Sequence, residues 1–204
     1  MIFDWLCCKK EQRRRVESAA KRLLGPTFGK NNHAPEERQV SVLISRVTDI
    51  LGQTDGSFNR LFEIQRLHLQ AIEHAIQEEG GEIHCLDHEK IVCLFDAWES
   101  LPNSFDIAVK VAIAARDIFS EIGKNTQEIS GTELVIGLHK SLLLKAILKG
   151  RIRTEAVVFG SAIFVADKLS QCGIPGIYIM EECAAIAEIP PNVRSRQDFK
   201  IIKR

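Results

Sequence analysis

Four side chains able to bind a metal or move a proton, His84, Asp87, His88 and Glu89, crowd six consecutive positions. Imidazole and carboxylate together suggest a divalent-cation cluster. Their placement argues against it: His84 and His88 are four apart on what reads as a hairpin, not a helical turn, and adjacent strand residues point to opposite faces. The ordinary reading is a solvated turn. Cys85 and Cys93 could face each other across the same hairpin, but the six cysteines, at 7, 8, 85, 93, 172 and 183, include no Cys-x-x-Cys pair and no zinc-type His spacing. In a reducing compartment they read as free thiols, mostly buried. His139 reads as a satisfied structural side chain. Lys145, Lys149, Arg151 and Arg153 form a basic cluster that could meet a triphosphate or an acidic protein, although such runs are usually solvated.

The N-terminus carries a different kind of signal. Ile2, Phe3, Trp5, Leu6, Cys7 and Cys8 lead into Lys9, Lys10, Arg13, Arg14 and Arg15. Apolar and aromatic residues beside a polybasic run suit an anionic membrane surface, each basic residue there contributing about 1 kcal/mol. Docking on a protein partner or a second copy of the chain, with Phe3 and Trp5 as anchors, is the favoured reading, because eight residues bury little lipid-facing area. Loss of lipid partitioning on deletion of residues 1–15 is what the membrane reading requires.

The elements that must position these residues follow from periodicity. Val16, Ala19, Ala20, Leu23 and Leu24 space as an amphipathic lead-in helix that stops before Gly25-Pro26, so residues 1–37 read as a basic arm and linker and 38–204 as the domain. Val40 to Ile44 is a β-branched run that marks a first strand starting near Gln39. Phe58, Leu61, Phe62, Leu69, Ile72 and Ile76 predict one helical face, ended by Gly80-Gly81. Glu82 to Leu86 and Lys90 to Phe95 flank Asp87-His88-Glu89 as a hairpin. Phe105, Ala108, Val109, Ala112, Ala115 and Phe119 predict a second helix, and Leu134 to His139 and Leu142 to Leu148 two separate strands. A helix through Ile163, Ala166 and Leu169, a strand at Ile177 to Ile179, a short helix from Met180 to Ala187 and a closing strand at Phe199 to Ile202 complete the order. This mixture of hairpins and crossover helices predicts an α+β domain, helices packed on a mainly antiparallel sheet.

Composition bounds the function. The 204 residues suit one ordinary domain with an appendage, and 45% hydrophobic with 26% charged residues is a globular balance. Lys plus Arg, at 27, equals Asp plus Glu, at 27, so there is no global field to draw nucleic acid. No apolar run approaches the roughly 18 residues of a membrane span. Asp4 interrupts the apolar start and the basic residues follow it, the reverse of a secretory signal. A cytoplasmic chain is expected, with peripheral attachment to the inner face of a membrane as the alternative use of the arm.

The order of elements and the local text together resemble the class III adenylate and guanylate cyclase catalytic domain, a ferredoxin-like fold, over about residues 38 to 204. The landmarks are Gln39 to Ser45 for the first strand, Glu79-Gly80-Gly81-Glu82-Ile83 before the hairpin, Val135-Ile136-Gly137-Leu138-His139, Val158 to Ile163 before the last long helix, and Pro175-Gly176-Ile177-Tyr178-Ile179. Each is unspecific alone; five in order are not. The resemblance implies a homodimer or heterodimer with active sites at the interface, two metal-binding aspartates on one surface, and base-reading and transition-state residues on the other.

Carried over position by position, that chemistry is depleted here. The first metal aspartate falls on Arg46, which inverts the charge; at 4 Å and an effective dielectric near 20, each like unit charge costs about 4 kcal/mol. Asp49 lies beyond the metal position. The second aspartate falls on Glu89, which keeps an oxygen ligand with altered geometry. The purine-reading lysine falls on Cys85 and its polar partner on Val157. The transition-state asparagine falls on Phe164, and the phosphate-contacting arginine on Lys168. Losing one preorganised donor alone typically costs about 2.7 to 4 kcal/mol. Because both halves are damaged, a partner would complete only a crippled site. The resemblance therefore implies an interaction or regulatory module with no cofactor, its old cleft filled by Arg46, Phe164 and Val157. The alternatives are a divergent cyclase using Mg²⁺ or Mn²⁺, and a non-catalytic nucleotide sensor held by Lys168 and the basic cluster.

Overall fold

Strand alternation explains the architecture. In the computed structural model, which describes residues 35–48, 58–87, 89–97, 100–126, 131–149, 154–185 and 199–203, strand β1 is Glu36–Val47. Residues 40 to 45 are buried without interruption, as expected where a sheet is covered on both faces. Ser41, Leu43, Ser45 and Val47 form one face. Ser41 Oγ lies 3.0 Å from Ser104 Oγ, and Ser45 Oγ 2.8 Å from His68 Nε2. Val40, Val42, Ile44 and Arg46 occupy the opposite face.

The chain divides into two compact units. In the larger, residues 39–141 and 162–204, β1 leads into helix α1 (Phe58–Glu79), the hairpin β2 (Glu82–Leu86) and β3 (Lys90–Phe95), helix α2 (Ser104–Asn125) and strand β4 (Leu134–Lys149). Helix α3 (Ser161–Ser170), β6 (Gly176–Met180), the single-turn α4 (Glu181–Ala184) and β7 (Phe199–Ile202) follow strand β5 (Thr154–Phe159). The strands align in the order β2-β3-β1-β4-β6-β7. The βαββαβ start with β1 and β3 central is the ferredoxin-like arrangement. The β1/β3 and β2/β3 ladders are antiparallel, whereas β4/β6 and β6/β7 are parallel, so the sheet is more mixed than the hairpins alone suggest. Helices α1 and α2 contribute Ile64, Ile72, Phe105, Ala112 and Phe119 to a core with Leu43, Cys93, Phe95, Ile136 and Ile179. A second cluster, Val135, Leu169 and Tyr178, includes α3.

Of the described residues, the smaller unit includes 35–38, 142–149 and 154–161. There the distal part of β4 pairs antiparallel with β5, from Leu144 opposite Phe159 to Lys149 opposite Thr154. Lys145 Nζ meets Glu36 Oε2 at 2.9 Å.

Several expectations change. The two strands expected at 134–139 and 142–148 are one continuous β4, because Lys140 and Ser141 are polar but not breakers and remain extended. On α1 the buried stripe is Ile64, Leu67, His68, Ala71, Ile72 and Ala75, while Phe58 and Phe62 are 85% and 70% exposed. Phe62 lies two residues from Ile64, about 200° around the helix, so both cannot face the sheet. The second-helix stripe is buried as expected. Helix α4 is shorter than the span 180–187. The arm with Phe3, Trp5, Lys9, Lys10, Arg13, Arg14 and Arg15, the lead-in helix, Asp49, His88, Arg151, Arg153 and the Lys149 side chain lie outside the described residues. Among the described residues no helix is long and apolar enough to cross a membrane.

Candidate functional site

Arg46 and Lys90 are cross-strand partners at the end of the β1/β3 ladder. The turn before Lys90 is set by Asp87, whose Oδ1 accepts the amides of Glu89 and Lys90, each at 2.8 Å, while the Asp87 amide donates to the Lys90 carbonyl. The turn delivers Glu89 to Arg46. Arg46 Nη1 donates to Glu89 Oε2 at 2.9 Å, Nη2 to Asp167 Oδ1 at 2.9 Å and Nε to Ser170 Oγ at 3.1 Å. Lys90 Nζ also reaches Asp167 Oδ1, at 2.8 Å. Two cations thus face two carboxylates from β1, the β2–β3 hairpin and α3.

Burial decides which arm matters. Side-chain exposure is 15% for Arg46 and 21% for Asp167 but 60% for Glu89, so the Asp167 arm is the better shielded from water and salt. Burial alone would lower the Arg46 pKa, but the hydrogen bonds to Glu89 and Asp167 outweigh it and the guanidinium is held more firmly charged. Burial likewise would raise Asp167, yet Lys90 and Arg46 hold its carboxyl below the ordinary value. Ser170 Oγ donates to the Asp167 carbonyl at 2.8 Å while accepting from Arg46. Its hydroxyl proton is engaged, so it is not placed as a nucleophile.

A divalent ion does not fit this arrangement. Both carboxylates are engaged by the guanidinium, and an added divalent ion would stand against Arg46 and Lys90 at a cost of about 8 kcal/mol for each at contact distance, twice the figure for two unit charges. Among the described residues no group of three or more His, Cys, Asp or Glu side chains could hold a metal.

Cys85 is exposed on β2 opposite Val92, and Cys93 is buried opposite Ile83, so an irregularity in the ladder separates the two thiols that could have faced each other. Cys172 is exposed and Cys183 buried, which leaves half of the described cysteines exposed where most were expected inside. Val157 lies on β5 opposite Ala146, in the smaller unit. Phe164 is 64% exposed, and Lys168 Nζ sits over its ring at 5.7 Å. His139 is buried, its Nδ1 3.3 Å from Cys183 Sγ. Sequence reasoning missed Asp167. Its partners lie 121 and 77 residues away along the chain, and no local pattern marks it.

Neither a protein-family model nor a curated protein matches the sequence. Solved structures do. The chain resembles the guanylyl cyclase Cya2 at 17% identity and a TM-score of 0.68, covering 76% of this chain and 81% of that one. For the adenylyl cyclase CyaB from P. aeruginosa the values are 14% and 0.68, covering 74% and 81%. For the guanylate cyclase domain of RhGC from Catenaria anguillulae, in complex with GTP, they are 17% and 0.63, covering 74% and 83%. The chain has the fold of the adenylyl and guanylyl cyclase catalytic domains.

Proposed function

We propose that this chain is a cyclase-fold domain without cyclase chemistry that serves as an interaction, regulatory or assembly module. The observation that carries the reading is the guanidinium of Arg46 engaged by Glu89 and Asp167 where the resemblance places a metal-binding carboxylate. The absence of hydrogen-bonding capacity at Val157 and Phe164 supports it, since neither side chain can read a base or donate to a transition state. In this reading the chain pairs with an identical chain or another cyclase-fold domain, and the arm around Phe3, Trp5 and Lys9 to Arg15 supplies the attachment to a protein or an anionic membrane surface.

The rival reading is a divergent nucleotide cyclase, and between them lies a nucleotide sensor. One experiment separates all three. Purified full-length chain, shown by sedimentation to be folded and dimeric, is assayed for cyclic product from each of the four nucleoside triphosphates with Mg²⁺ or Mn²⁺. Calorimetric titration with ATP and GTP runs alongside. We expect neither product nor heat. Product above that of a Glu89→Ala control would establish the enzyme, and heat without product the sensor.

A further inference from the structure

We propose that Arg46 is a built-in counter-ion that does the structural work of a divalent cation, clamping α3 onto the β1/β3 end of the sheet while excluding free metal. The comparison with a metal rests on the functional reading above; the clamp itself rests on distances within this chain. Glu89 and Asp167 come from elements with no covalent reason to meet, and two carboxylates drawn to one point repel unless a cation lies between them. One guanidinium touches both, at 2.9 Å each, and its third contact, Nε to Ser170 Oγ, grips α3 a second time. Only a planar fork makes three such bonds at once; a lysine at this position would supply charge without the bridge. Lys90 adds a second cation to Asp167 at 2.8 Å, balancing the two carboxylates with two positive charges. A metal ion entering this cluster would meet a site already neutralised. The clamp and the hydrophobic contact of Leu169 with Val135 and Tyr178 hold the same helix by independent means.

Thermal unfolding of the full chain in EDTA and in millimolar Mn²⁺ tests this. The wild-type midpoint is expected to be the same in both. Arg46→Asp should lower the midpoint in EDTA by roughly 3 to 8 °C, from the usual conversion of lost charge-assisted contacts in a chain of this size. It should recover part of that loss in Mn²⁺, and the recovery should vanish in Arg46→Asp combined with Asp167→Asn. Stabilisation of the wild type by Mn²⁺ to the same extent as the variant would overturn the proposal, as would a folded Arg46→Asp variant indifferent to Mn²⁺. If Arg46→Asp fails to fold under either condition, the cycle of Arg46→Met, Asp167→Asn and their combination decides. Coupling between the two sites supports the clamp, and strict additivity sinks it. Wild-type turnover of a nucleoside triphosphate would defeat the functional reading, whereas Mn²⁺ stabilisation of the wild type without turnover would defeat only the clamp.

Discussion

Gly137 of β4 lies directly beneath Ala166 of α3: a Cβ added to the glycine would collide with the Ala166 carbonyl oxygen and stand 2.7 Å from the Ser170 amide nitrogen. The helix backbone therefore rests on the strand backbone. Asp167 and Ser170, the residues that receive Arg46, belong to the turns that make this contact.

Gly137→Ala should consequently be costly. Overpacking of a tight contact typically costs about 1 to 3 kcal/mol, and in a chain of this length each kcal/mol moves the thermal midpoint by roughly 2 to 4 °C. Calorimetry of the variant against wild type reads this directly. An unchanged midpoint would mean that α3 does not sit on the strand at Gly137.

His68 should give the fold an acid-sensitive stability. Complete burial lowers its imidazole from 6.5 to about 3, so the folded protein keeps the ring neutral while the unfolded chain protonates it below about 6.5. The unfolded state then binds the extra proton. Stability is fully present above that range and falls by about 1.4 kcal/mol per pH unit as pH drops through it. His84, also lowered by burial, adds in the same sense, and Asp167, held below its ordinary 3.8, adds a loss only at lower pH. Urea unfolding between about pH 6 and 4.5 should show a shallower slope for His68→Gln than for wild type. Parallel slopes would mean that the imidazole protonates in place.

Thiol chemistry should split the described cysteines into two pairs. Cys85 and Cys172 are exposed, while Cys93 and Cys183 are buried and burial pushes both of their thiols up, away from the reactive thiolate. Brief alkylation of native protein, read by peptide mass spectrometry, should label the first pair, and denaturant should open the second. Labelling of Cys93 at the rate of Cys85 would contradict the packing of β3.

The hairpin was legible because its signals are local: two runs of strand length around Asp87, whose carboxylate makes the turn by bonding the two amides that follow. The second helix was legible for the same reason, its apolar positions all falling on one stripe. The first helix misled because Phe58 and Phe62 outweigh alanine in any count of hydrophobicity. The packed face instead uses Ala71, Ala75 and a histidine, small or hydrogen-bonded groups that allow close approach to α2 and the sheet.

By itself the sequence determined the period of each element, the order that resembles the cyclase domain, and the positive charge at position 46. Those are properties of neighbouring residues, which share a face or a turn because the backbone repeats every 3.6 or 2 positions. Tertiary structure alone decided what that charge does. Arg46 meets Asp167 and Ser170 only because β1 and α3, more than 100 residues apart, are brought together by packing. Whether a lone arginine spoils a metal site or bridges two carboxylates depends on which acids the fold carries to within 3 Å of it, and no local pattern encodes that distance.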